Sequence, residues 1–71
     1  MTDFELLETI MEKSGATIGA IAKAAGMTRE TYYNRKKGIG EFTAREITAI
    51  TDTLRLTTEE RDLIFFAQSV N

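Results

Sequence analysis

A single glycine, Gly26, restricts this chain more than any other residue, because helix-patterned sequence runs up to it and away from it. Residues 17–37 read TIGAIAKAAGMTRETYYNRKK. Ile18, Ile21, Ala22 and Ala25 fall at i, i+3, i+4 and i+7, one face of a short helix with Thr17 as its expected N-cap. Gly26 can take positive φ without a Cβ clash, so the backbone can reverse there. Met27 is expected as an apolar plug beneath the turn. Thr28 then caps a second helix over about residues 29–36. Ala22 lies where the two helices cross, and a larger side chain there would push their axes apart. Tyr32, six residues past Gly26, faces back toward the first helix and is expected in the core. Arg29, Glu30, Tyr33, Asn34 and Lys37 are left on the outward face. Arg35 shares the inward side, its stem over the core and its guanidinium reaching water or phosphate.

The flanking sequence supplies three more helices. Helix 1 covers about residues 3–13, with Thr2 and Glu5 spaced as a capping box and Phe4, Leu7, Ile10 and Met11 as one apolar stripe. Asp3 and Glu5 suit its positive start, Lys13 suits its end, and Ser14-Gly15 stops it. Residues 38–42 form a loop. Helix 4, about residues 43–54, opens on a second capping box, Thr43 with Glu46, and buries Ile47, Ile50 and Leu54, helped by Phe42 and Leu56. Thr57 with Glu60 is a third box and starts helix 5, about residues 58–69. There Leu63, Phe66 and Val70 make one stripe, which Ile64, Phe65 and Ala67 widen past a single face. No segment alternates with the period of a strand. The expected fold is all-α, a compact five-helix bundle forming one domain over residues 1–71.

Composition removes several classes of function. A chain this short buries only roughly 60% of its unfolded surface, so its core is small. With no cysteine and no histidine, disulfides, thiolate nucleophiles, the common zinc sites and the usual neutral-pH acid/base group are excluded. Glu59 and Glu60 are adjacent rather than facing, and belong to a helix start rather than to acid/base catalysis. No enzyme activity, metal, cofactor or small-molecule ligand is expected. No apolar run approaches the ~18 residues of a membrane span. The acidic N-terminus MTDFELLE lacks the basic region and cleavage site of a signal peptide, so an intracellular, soluble protein is expected.

The net charge of −2 is unevenly spread. Residues 13–37 hold six basic side chains and one acidic one, a local charge of +5; the rest of the chain carries −7. A polyanion responds to the field within a Debye length, roughly 8–10 Å, more than to the total. Lysines that merely solvate a helix surface would give the same count. Charge segregation laid on two helices and a sharp turn points instead to nucleic acid.

On these residues the chain resembles the lambda-repressor-like helix-turn-helix family, also called the Cro/Xre type, over about residues 4–66. Ser14-Gly15 precedes the motif, and Thr17 stands where the family has Ser or Thr. Ile21-Ala22 stands for its Leu-Ala pair and Gly26-Met27 for its Gly-hydrophobic turn. The run 28–32 opens the recognition helix and Lys37-Gly38 matches the Asn-Gly that ends it. Phe42, Ile47, Ile50 and Leu54-Arg55-Leu56 follow its next helix. Two positions depart from the pattern: Ile18 replaces a glutamine that braces the recognition helix and touches phosphate, and Arg35 replaces an apolar residue. The resemblance implies a small phage- or prophage-type transcription regulator, a repressor, in the bacterial cytoplasm and associated with the nucleoid. It implies a dimer on palindromic double-stranded DNA.

Base-edge contacts carry sequence information and phosphate contacts hold register. Arg29 can bond O6 and N7 of guanine together, and Asn34 can do the same for adenine. Glu30 can accept from cytosine N4 or orient Arg29, and Tyr33 can meet phosphate or a methyl. Thr28 and Thr31 can bond phosphate or pack on a thymine methyl. Thr17, Thr31, Lys36, Lys37 and Arg45, with the amides at the starts of helices 2 and 4, are the candidate phosphate binders. Purely structural roles compete at several positions: Thr28 as a cap, Glu30 as a solvated first-turn acid, Arg45 paired with Glu41. In helix 5, either Phe65 packs onto helix 1 or it is exposed and, with Ile64 and Val70, forms a dimer seam. The competing function is a protein-interaction module, an antirepressor or adaptor that keeps the fold. Net acidity and the missing glutamine favour it.

Overall fold

The computed structural model describes residues 1–66. Their regular structure is entirely helical: α1 (Phe4–Ser14), α2 (Ile18–Ala24), α3 (Arg29–Lys36), α4 (Ala44–Leu54) and α5 (Thr58–Phe65). Each helix starts at a side-chain oxygen that takes an amide hydrogen of the first turn. Thr17, Thr28, Thr43 and Thr57 accept from Ala20, Thr31, Glu46 and Glu60. Thr43/Glu46 and Thr57/Glu60 complete their capping boxes.

At α1 the expected Thr2/Glu5 box is replaced. Asp3 is the N-cap, its Oδ1 accepting from Leu6 N at 3.0 Å. A carboxylate at a helix start satisfies an amide and opposes the dipole at once. The Asp3 amide donates to the Ile64 carbonyl at 2.7 Å and ties the chain start to α5.

Four helices end by one device. At the end of α2 Gly26 has φ +74°, which lets Met27 N–H reach the Ala22 carbonyl at 2.9 Å while Gly26 N–H bonds Lys23 at 3.0 Å. Gly15 closes α1 and Gly38 closes α3 in the same way. Arg55, at φ +55°, does it for α4 without the freedom of a glycine.

These turns bring α2 against α3 and α4, α1 against α4 and α5, and α4 against α5. The radius of gyration, 11.2 Å, matches the about 11 Å expected of a compact chain of this length. Leu7, Met11, Ile21, Ala22, Tyr32, Phe42, Ile47, Ile50, Ile64 and Phe65 form the core. Its centre is aromatic. The Phe4 ring meets Tyr32 edge-on at 5.7 Å, and Phe42 meets Phe65 edge-on at 5.7 Å. Such pairs contribute about 0.5–1.5 kcal/mol beyond their buried area. Phe42, read from sequence as a helper of α4, therefore joins the loop to α1, α3 and α5.

Helix α5 departs from its expected facing. Ile64 and Phe65 are buried in the chain's own core, while Leu63 and Phe66 are exposed at 54% and 52%. Ile64 and Phe65 are therefore spent within the protomer, against the reading of them as a dimer seam. Val70 and the expected last turn of helix 5 lie outside the described residues.

Candidate nucleic-acid interface

Tyr32 sets which side of α3 faces out. It is fully buried, and its hydroxyl donates to Glu8 Oε2 at 2.8 Å. Burial first, and then this bond, push its phenol well above the ordinary range, so it stays a neutral donor. With Tyr32 inward, Arg29, Glu30, Tyr33 and Lys37 are exposed and Asn34 is half-buried. The Tyr33 ring stands edge-on to Tyr32 at 5.8 Å, which fixes its plane.

The remaining candidates divide. Thr28 Oγ1 accepts from Thr31 N and donates to Thr31 Oγ1, both at 3.1 Å, so its hydroxyl is used by the helix start. The hydroxyl hydrogen of Thr31 is left for another acceptor. Thr17 caps α2 and is exposed. Lys36 Nζ is held by Glu8 Oε1 at 2.8 Å, so reaching a phosphate means exchanging one anion for another. Lys37 and Arg45 make no ion pair among the described residues, and neither do Lys23 and Arg29. Arg45 thus does not pair with Glu41, nor Glu30 with Arg29.

Arg35 is not a free cation. Its Nη1 lies 2.8 Å from Glu46 Oε1, its guanidinium sits 5.7 Å from the centre of the Phe42 ring, and its side chain is 17% exposed. Its Nη1 is thus committed to Glu46 rather than free for phosphate. Glu46, already the acceptor of the α4 capping box, neutralises this largely buried charge. Glu46 Oε1 also accepts from Thr43 N at 2.9 Å. Burial works to raise the Glu46 pKa, but the Arg35 hydrogen bond and the Thr43 amide outweigh it, and the carboxyl lies below its ordinary value.

Arg29 lies beside a residue the sequence reading passed over, Gly19. A Cβ built on Gly19 would fall 2.8 Å from Arg29 Nη2 and 2.9 Å from Nε. The guanidinium therefore lies close to the backbone of α2, in space that a side chain at position 19 would take. A glycine within a helix-patterned run was the signal available in the sequence. Glu8 offered none, since its partners Tyr32 and Lys36 are 24 and 28 residues away.

No family model, curated protein or solved structure matches this chain. The candidate site is one short helix with a buried aromatic on its inner side and, on its outer side, Arg29 and Lys37 with no ion pair among the described residues.

Proposed function

We propose that the protein is a sequence-specific double-stranded DNA binder that regulates transcription, as a repressor. In this reading α2 and α3 form a helix-turn-helix, and α3 enters the major groove. The observation that carries it is the outer side of α3, where Arg29, Glu30, Tyr33 and Lys37 are exposed and Arg29 and Lys37 have no ion-pair partner among the described residues. Eight residues of helix extend about 12 Å, the width of the major groove. Arg29 and Asn34 have the donor geometry to read guanine and adenine, while Lys37, Arg45 and the exchangeable Lys36 meet phosphates.

Fluorescence anisotropy with a mixed-sequence duplex, from roughly 50 to 200 mM salt, tests the electrostatic half. Affinity falls steeply with salt, and Lys37→Ala reduces the log–log slope by about 1. Binding that ignores salt, or a slope unmoved by Lys37→Ala, removes Lys37 from the contact.

The exposed Leu63 and Phe66 favour a second reading, a module that binds a protein partner through α5. Replacing Arg29 and Asn34 together by alanine separates the two. The double variant loses specific DNA binding under the first reading and keeps partner binding under the second.

A further inference from the structure

We propose that Gly19 is a positioning residue: its missing side chain seats the Arg29 guanidinium on α2 before DNA arrives, and so sets the base that Arg29 reads. The inference rests on the proposed reading of Arg29 as a base reader and adds to it a determinant on the other helix.

Arg29 is the first residue of α3, and its side chain crosses to α2 at Gly19, the second residue of that helix. A Cβ at Gly19 would come within 3.0 Å of both Nη2 and Nε and 3.2 Å of Cζ. All three are atoms of the planar head, and Nη2 and Nε lie nearer than Cζ, so the head turns its Nε–Nη2 edge toward the bare backbone. No ion pair to Arg29 exists among the described residues, and Glu30, its neighbour, does not hold it. What fixes the head is shape. A long side chain free in solution loses rotamer entropy when it docks; one already seated loses less. The same contact limits the directions from which the Nη atoms can approach a base edge, and bidentate recognition is sensitive to direction.

Gly19 is not otherwise required by the backbone. Its φ is not in the left-handed region, unlike those of Gly15, Gly26, Gly38 and Gly40. The atoms a Cβ would displace belong to the end of a flexible side chain, so Gly19→Ala leaves the fold intact and gains helix propensity.

The test uses the full chain as wild type, Gly19→Ala, Arg29→Ala and the double variant. Each is selected against random duplex DNA, and Arg29 Nε–H is followed by NMR in the free protein. Gly19→Ala melts no lower than wild type, moves the Arg29 Nε–H signal to the position of unstructured arginines, and weakens the selected site about two- to tenfold, the range for ordering one long side chain. Preference relaxes at the base pair that Arg29→Ala also relaxes, and the double variant is no worse than Arg29→Ala alone. An Arg29 Nε–H signal unchanged by Gly19→Ala overturns the seating, whether or not DNA is bound. A displaced signal with unaltered base preference, where Arg29→Ala does alter it, overturns the role in readout and leaves Arg29 as base reader. No selected site for wild type sinks the base-reader reading and with it the role of Gly19, while the NMR result still decides the seating.

Discussion

Two acidic side chains, Glu46 and Glu8, hold together what the apolar pattern does not. Glu46 links the start of α4 to Arg35 of α3 through one oxygen. Its folded pKa lies below the unfolded value, so its contribution is complete above about pH 4.5 and is lost as pH falls through the folded value. Glu46→Gln keeps a capping acceptor but drops the charge. It is expected to cost about 1 kcal/mol in urea unfolding at pH 7, with the difference from wild type shrinking in acid. Glu8 receives Tyr32 and Lys36. Tyr32→Phe removes the buried donor and is expected to cost about 1 kcal/mol near neutral pH. Because burial and Glu8 raise the phenol pKa, wild-type stability falls as pH rises above about 10, where the unfolded tyrosine ionises and the folded one does not. The Phe variant lacks that part of the alkaline loss. Tyr32 in the core was legible from its place after Gly26. Its partner was not, because a hydrogen bond across 24 residues leaves no local trace in sequence.

Helix boundaries were legible because this chain marks them chemically. Threonines at 17, 28, 43 and 57 start helices, and glycines at 15, 26 and 38 end them. The fourth closure of this kind, at Arg55, breaks the pattern by holding a non-glycine residue at φ +55°. A left-handed conformation costs a residue with a Cβ roughly 1–2 kcal/mol, partly offset by the greater freedom glycine has when unfolded. Arg55→Gly is therefore expected to stabilise the protein by about 0.5–1 kcal/mol, seen as a higher denaturant midpoint at unchanged slope. A lower midpoint would contradict this account of the turn. The facing of α5 was not legible. Residues 63–66 are all apolar, so periodicity cannot choose between the stripe through Leu63 and Phe66 and the one through Ile64 and Phe65. Packing chose the second, with Phe65 against Phe42 and the Ile64 carbonyl bonded to Asp3. An operator dimer built on α5 would use Leu63 and Phe66, the side chains it leaves exposed.

At the scale of the molecule, the charge asymmetry seen in sequence is reduced by pairing. Arg35 and Lys36 are answered by Glu46 and Glu8, which leaves Lys13, Lys23, Arg29 and Lys37 as the cations of residues 13–37 with no ion pair among the described residues. Counting basic residues between positions 13 and 37 thus overstated the number free to meet an anion. It could not have shown which, since both neutralising acids lie outside that segment. In the proposed function the outer side of α3 reads bases. Selection from a random duplex pool, with deep sequencing, for wild type and Arg29→Ala tests it most directly. The account predicts an enriched site for wild type and, for Arg29→Ala, a loss of preference at one base pair worth about 1–3 kcal/mol while the rest of the site persists. No enriched site from folded wild-type protein, or the same site with the same preferences from Arg29→Ala, would contradict it.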